Sequence, residues 1–407
     1  MLRRQRVTYT KSKEDLSMKK KVLSVLLSTA MVATMFAGCG SKEASSDKAA
    51  SNDTATEDTA DAAEDTKDAA DDTADAAPAG DMHFEIVSKG FQHAYWQAVK
   101  KGAESKAAEL GATVNFVGPN TESDIADQVQ MLNNAINAEP NAIGFAALDT
   151  TAALDAIQTA MDSGIPIIGF DSGVSGAPEG SVLANASTDN YAAGELAAEE
   201  TYKIIKDRIA NASGAVRIGV LSQDATAESI INRGLGFIDK IAELAQADGK
   251  TVTVEGNDKY VTDSKVGKND GADVIIEVAV PASVDASLSK TDCETILNKE
   301  DTICIYGSNQ HSGEAMVSAN ETLQKFGSGD DKVVGVAFDS GAVIKGAVAD
   351  GTFAGAITQA PVAMGEKLVE LLYAAANGES VADTDTGCQW YTADNMNNEE
   401  IAQNLYD

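Results

Sequence analysis

Short apolar runs rich in Val and Ile recur along most of the chain, and each is followed by an amphipathic stretch of helical length. Phe84-Glu85-Ile86-Val87 precedes a helical pattern over Tyr95 to Leu110 that Gly111 closes. Thr113 to Val117, a helix capped at Ser123, Ala142 to Ala146, a further helix and Ile165 to Asp171 complete a first series. The rhythm restarts with a strand over Ala215 to Leu221 and a helix over Ala225 to Ala245. Strands over Asp273 to Val280, Thr302 to Tyr306 and Lys332 to Phe338 follow, each with a helical pattern behind it. A last strand, Phe353 to Ile357, leads through Gln359-Ala360-Pro361 into a helix over Val362 to Ala376. Continuous apolar strands alternating with helices predict an α/β fold of parallel sheets buried on both faces, here two doubly wound lobes in tandem. Ligands of such folds bind in the crevice beyond the C-terminal ends of the strands.

The first 81 residues do not share this pattern. From Met18 the chain reads three lysines, an apolar run from Val22 to Phe36 and then Ala37-Gly38-Cys39. A basic start, an apolar stretch shorter than the ~20 residues of a membrane span and small residues before the cut predict an export signal. Residues 1–38 are therefore expected to be removed, with residues 1–17 lying ahead of the signal's own start. Ala37-Gly38-Cys39 also resembles a bacterial lipobox, which implies that Cys39 carries lipid and becomes the mature N-terminus. Gly40 to Asp81 is Ala, Asp, Thr, Ser and Glu without an aromatic residue. Residues 39–81 are thus expected to be a lipidated Cys followed by a disordered acidic spacer, because such a stretch cannot bury enough apolar surface to order itself.

Charge sharpens the picture. The 407 residues carry a formal net charge of −32, of which residues 1–39 contribute +6, residues 40–81 contribute −10 and the body from residue 82 contributes −28. A body this acidic lacks the basic face that displaces counterions from nucleic acid, so no nucleic-acid partner is expected.

Seven landmarks stand in order in the body: Tyr95-Trp96, Gly164 to Asp171, Ser187-Thr188-Asp189-Asn190, Asn232-Arg233-Gly234-Leu235-Gly236-Phe237, Gly307-Ser308-Asn309, Gly335 to Asp339, and Thr358-Gln359-Ala360-Pro361. In this order and spacing they resemble the ribose/galactose-type sugar-binding lipoproteins of bacterial ABC transporters, within the type I periplasmic binding proteins. The resemblance covers nearly all of residues 82–380. It implies a three-crossing hinge between the lobes, with residues 82–187 and 360–378 forming the first lobe and residues 188–359 and 379–407 the second.

A sugar offers an apolar face and a rim of hydroxyls, so its site needs an aromatic plate and multidentate polar groups fixed at strand ends. Tyr95 and Trp96 would place at least one ring at the cleft. Asp171 and Asp339 end equivalent strands of the two lobes, either facing the crevice as hydroxyl acceptors or capping helices. Arg233 offers a fork of donors that the resemblance lays across two ring oxygens. Asn309 and Gln359 carry amides that donate and accept, although either can serve as a turn or cap residue. His93 and Asp149 are further candidate contacts. Ala substitution of Arg233 or Asp339 is expected to abolish sugar binding and to leave unliganded stability nearly unchanged.

Departures argue against ribose. Asp149 ends Ala146-Ala147-Leu148-Asp149 where ribose binders carry Asn nearby, Ser172 replaces an Arg, and Val284 replaces a second stacking aromatic. Residues 256–272 read as an insertion beyond the common core. An enzyme is not expected. The chain has three histidines, no Gly-x-Ser-x-Gly elbow and no phosphate loop, and Cys293, Cys304 and Cys388 lack metal spacing. Cys293 and Cys304 are either a disulfide or buried thiols. The expected protein is a monomer that needs neither cofactor nor metal, is held to the outer face of the cytoplasmic membrane by its lipid, and hands a monosaccharide to ABC permease subunits. The alternatives are service to a chemoreceptor or sensor kinase, or a non-sugar ligand.

Overall fold

The structure, a computed structural model, describes residues 82–90 and 93–407. The expected signal peptide, the lipidation of Cys39 and the acidic spacer lie outside the described residues. The first lobe opens with β1 (His83–Val87), α1 (Ala94–Glu109), β2 (Thr113–Val117), α2 (Ile125–Asn137), β3 (Ala142–Phe145), α3 (Leu154–Asp162), β4 (Ile167–Phe170) and β5 (Val182–Ser187). The second carries α4 (Asn190–Asn211), β6 (Val216–Leu221), α5 (Glu228–Ala247), β7 (Val252–Gly256), α6 (Asp258–Asp263), β8 (Val274–Ala279) and α7 (Ala286–Leu297). It continues through β9 (Thr302–Gly307), α8 (Gln310–Leu323), β10 (Val334–Phe338), α9 (Ala342–Ala349) and β11 (Phe353–Gln359). The chain ends with α10 (Pro361–Ala376), β12 (Thr384–Asp385), β13 (Cys388–Tyr391) and α11 (Glu399–Ala402).

The strands form two sheets, ordered β12-β5-β4-β3-β1-β2 and β13-β11-β10-β9-β6-β8-β7. Every pairing is parallel except β11 with β13. Each sheet is apolar on both faces. In the first, Phe84, Val99, Ile168 and Leu368 pack under α1 and α10, and Val87, Leu132, Phe145 and Ile157 pack under α2 and α3. In the second, Ile218, Phe237, Ile276 and Phe338 pack under α4 and α5, and Ile296, Met316, Ala337 and Ile344 pack under α7, α8 and α9. Burial on both sides is why the central strands read as continuous apolar runs rather than alternating ones.

The chain winds away from β1 and from β6 in both directions, so each lobe has a topological switch point beside its first strand. It passes between lobes after β5, after β11 and after β12. One side chain ties all three passages: the Thr188 hydroxyl donates to Gln359 Oε1 at 3.0 Å and lies 3.3 Å from the Gly387 carbonyl oxygen. The third passage therefore falls at residues 386–387, not at 378–379, because Thr384 and Asp385 pair with Ala186 and Ser187 of β5 in the first sheet.

Two other expectations change. The N-cap position of α2 is Asp124 rather than Ser123, and the Asp124 carboxylate accepts the Thr121 N–H. The segment 256–272 is not appended to the lobe but packed into it. Tyr260 of α6 is fully buried, and its hydroxyl lies 2.6 Å from Ser222 Oγ. The added element starts earlier than expected, at β7, which extends the sheet outside β8, whereas β2 has no strand beyond it in the first lobe. Cys293 and Cys304 are free, buried thiols in α7 and β9, and burial pushes the Cys304 thiol up to about 12.

Candidate functional site

The switch points bring the ends of five strands to one cleft. Lys89 follows β1, Asp171 follows β4, Asn309 follows β9, Asp339 follows β10 and Gln359 ends β11. With His93, Tyr95, Trp96, Glu122, Ile230, Arg233 and Gln310 they line a cavity of ≈ 30 Å³ between the lobes. All seven principal residues picked from the sequence lie here, and so does His93. Asp149 does not. Its Oδ1 accepts the Thr151 and Ala152 N–H groups and the Thr151 hydroxyl, which commits it to its own turn at the cleft rim.

Asp171 and Asp339 share an uncommon backbone. Their φ angles are +57° and +74°, in the left-handed region that costs a side-chain-bearing residue energy. In each case the N–H donates to the neighbouring strand, Asp171 to the Ala186 carbonyl at 3.1 Å and Asp339 to the Ile357 carbonyl at 2.6 Å. The strained turn swings the carboxylate off the strand and into the cleft, and the pair occupies equivalent places in the two lobes. Neither caps the helix that follows it in sequence. Asp339 Oδ2 instead accepts the first N–H of α8, from Gln310, at 3.1 Å.

The charges are matched across the cleft. Lys89 Nζ lies 2.9 Å from Asp171 Oδ2 and also reaches Ser229 Oγ, 3.1 Å away in the other lobe. Arg233, 2% exposed, lies over the Phe338 ring at 4.1 Å, with its guanidinium 3.9 Å from Asp171 and 3.6 Å from Asp339. Its Nε donates to Asn190 Oδ1 at 2.7 Å. Gln359 Nε2 donates to Asp339 Oδ1 at 2.7 Å, so this hinge amide orients the carboxylate. The Tyr95 hydroxyl donates to Asp171 Oδ1 and the Trp96 indole to Glu122 Oε1, each at 2.8 Å, and the two rings meet edge to face at 4.9 Å. Both aromatic residues are thus anchored by their polar tips, with their faces left to the cavity and the core.

Burial and pairing oppose one another in the titrations. Burial would lower Lys89, but Asp171 and Glu122 hold its ammonium above the usual lysine value. Burial drives the Asp339 carboxyl above the usual carboxylate range, against the pull of Arg233 and the Gln359 bond. Burial would raise Glu122 too, yet Lys89 and His93, with hydrogen bonds from Gln223 and Trp96, hold it below the ordinary 4.5. A carboxyl depressed by folding contributes stability that is complete above its unfolded value, about 4.5, and lost as pH falls through the folded value. Glu122→Gln is therefore expected to flatten the acid limb of the stability profile below pH 4.5, by up to about 1.4 kcal/mol per pH unit. Urea unfolding from pH 5 to 3 measures it, and an unchanged slope counts against the pairing.

Sequence reasoning missed the apolar Ile230 and, among the polar lining residues, Lys89, Glu122 and Gln310. Lys89 was within reach, because it stands directly behind an apolar strand, the same placement that singled out Asp171 and Asp339. Glu122 and Gln310 carried no such mark; only folding shows that the Pro119 to Ser123 turn and the first turn of α8 face one cleft.

Two doubly wound lobes with three passages between them, closed on a polar cavity at their strand ends, define a two-lobed solute-binding protein of the type I periplasmic class. Residues 84–380 match the periplasmic binding protein domain family, and the chain belongs to it. An ABC transporter protein of the LacI transcriptional-regulator family from Brachyspira murdochii is 33% identical, with a TM-score of 0.69 over 80% of this chain and 99% of that one. An ABC transporter solute-binding protein from Agrobacterium vitis with bound D-fucose is 29% identical, with a TM-score of 0.65 over 80% of this chain and 100% of that one. The D-allose-binding periplasmic protein of Escherichia coli is 28% identical over 148 residues, 33% of this chain; the match spans about half of that relative's length, 48%. Among the described residues no helix is long and apolar enough to cross a membrane.

Proposed function

We propose that the protein is an exported lipoprotein, held to the membrane through Cys39, that captures a monosaccharide or related small polyol between its lobes and delivers it to the permease of an ABC importer. The observation that carries this reading is the chemistry of the cavity. Carboxylates, a guanidinium and amides from both lobes converge on it beside two aromatic rings, the set that a ring with an apolar face and a hydroxyl rim requires. Membership of the family and the sugars named for its relatives support it.

The mechanism follows from size. A cavity of ≈ 30 Å³ holds a water molecule or two, far less than the several hundred Å³ of a small-molecule site. The lobes must part at the three passages to admit a ligand. A sugar that hydrogen-bonds Asp171 and Tyr95 on one side and Arg233, Asn309 and Asp339 on the other takes over bonds these groups make to one another here and favours a closed form widened to its size, in which both sets are satisfied. Closure presents the two lobe faces to the permease at a fixed spacing. The histidine His93 has a buried Nε2 without a partner and supplies a further contact.

Thermal unfolding of the full-length protein with D-allose, D-fucose and a panel of pentoses and hexoses tests the assignment. A specific sugar at a hundred times its Kd is expected to stabilise by about 2.7 kcal/mol. No response to any sugar would sink it.

A further inference from the structure

A file of four buried side chains crosses the cleft: Trp96, Glu122, Gln223 and Asn309, all less than 10% exposed. Trp96 Nε1 donates to Glu122 Oε1 at 2.8 Å, Gln223 Nε2 donates to Glu122 Oε2 at 2.9 Å, and Asn309 Nδ2 donates to Gln223 Oε1 at 2.7 Å. Trp96 and Glu122 belong to the first lobe, Gln223 and Asn309 to the second. Trp96 and Asn309, the two ends of the file, both line the cavity.

The direction of every bond in this file is forced. An indole N–H only donates. Asn309 caps α8 by accepting the Ser312 backbone N–H on Oδ1 at 3.1 Å, so it has only its NH₂ to offer Gln223. Both ends are therefore donors, and Gln223 carries one donor and one acceptor. The remaining member must accept on both sides, which among side chains of this shape only an ionised carboxylate does. With a carboxamide at position 122, one junction becomes donor against donor whichever way the amides turn.

We propose that Glu122 and Gln223 are a latch that forms only when the lobes close, and that it fixes Trp96 of one lobe against the Gln223–Asn309 pair of the other beside the ligand, making Glu122 a positioning residue for binding. The inference rests on the reading that the cleft binds a ligand by closing. In it, closure and completion of the site are one event, since the Glu122 carboxylate of the first lobe, which holds Trp96, gains its second donor only when Gln223 of the other lobe, already bonded to Asn309, reaches it.

The test is to move the carboxylate. Glu122→Gln and Gln223→Glu each break one junction, and each is expected to weaken sugar binding by about tenfold to a hundredfold, the effect of leaving one buried polar pair unmade. Combining them restores the file, with Trp96 donating to the amide oxygen at 122 and both amides donating to the carboxylate at 223. Gln223 Nε2 also donates to Asp224 Oδ2 at 3.2 Å, so the combined variant includes Asp224→Asn. The new amide donates to the relocated carboxylate, while its oxygen keeps accepting from Thr226 and Ala227, as Asp224 Oδ1 does now.

Affinity for the sugar that stabilises the wild type is measured for all variants on the full chain. Recovery to within about threefold of wild type in the combined variant supports the latch. A combined variant no better than Glu122→Gln, or a Glu122→Gln that binds as wild type, overturns it. If no sugar stabilises the wild type, the binding reading fails separately. The latch is then decided by ligand-free unfolding, where the combined variant must regain the stability that each single change loses. If the single variants do not fold, Gln223→Ala decides: unchanged affinity, or unchanged ligand-free stability when no sugar binds, overturns the proposal.

Discussion

Arg233→Ala is expected to yield a protein that no sugar stabilises and that stands open in solution. The guanidinium is the group that Asp171 of one lobe and Asp339 of the other both face, at 3.9 and 3.6 Å. Without it three buried carboxyl groups, Glu122, Asp171 and Asp339, share the cavity with Lys89 as the remaining cation among them, and leaving a buried ion pair half-made costs about 3–5 kcal/mol. The chain escapes most of that cost by parting the lobes and letting water reach both aspartates. Sequence reasoning anticipated a pure binding defect with an unchanged ligand-free protein. The structure changes that expectation, because Arg233 holds the closed form together as well as facing the ligand. Small-angle scattering with thermal unfolding measures both effects. A variant as compact as wild type, or one that still responds to sugar, would contradict the assignment.

Gly194→Ala is expected to lower stability by about 3 kcal/mol and the melting midpoint by roughly 5–10 °C, and to weaken sugar binding with it. α4 and α5 pack backbone against backbone at two glycines. A Cβ on Gly194 would lie 2.3 Å from the Arg233 carbonyl oxygen, and one on Gly236 would lie 2.1 Å from that of Tyr191. Backbone cannot rotate away as a side chain can, so the helices must separate. α5 carries Arg233, which therefore shifts relative to Asp339. Gly214→Ala, where a Cβ meets nothing within 4 Å, is the control and should be close to neutral. Calorimetry on the two variants separates a packing effect from a general intolerance of alanine.

Much of the fold was legible because its signals are local. Strands buried on both faces, such as Ile167–Phe170 and Val334–Phe338, are uninterrupted apolar runs. β5 and β7 were not read as strands, since their burial alternates along Val182–Ser187 and Val252–Gly256 and their short patterns resemble loop. The same limit moved the third passage. Thr384 and Asp385 are polar, and only their pairing with β5 assigns them to the first lobe.

The site divides along the same line. A polar residue directly behind an apolar strand is visible in a linear chain, and that rule reached Asp171, Asn309 and Asp339. The pairings were not visible: Lys89 with Asp171, Gln359 with Asp339 and Glu122 with Gln223 are separated by 82, 20 and 101 residues of chain.

By itself the sequence determined the alternation of strand and helix, the two lobes and the strand-end residues Asp171, Asn309 and Asp339, because periodicity and strand-end placement are written within a few residues, while Arg233 and Gln359 were reached through the resemblance of their motifs to a family. Only the tertiary structure decided how those residues are spent. Asn309 commits its oxygen to α8 and an N–H to Gln223, Asp149 folds back on its own turn, and Arg233 joins two lobes rather than facing a ligand alone. A hydrogen-bonding group has few bonds to give, and which partner takes them depends on what the fold brings within 3 Å.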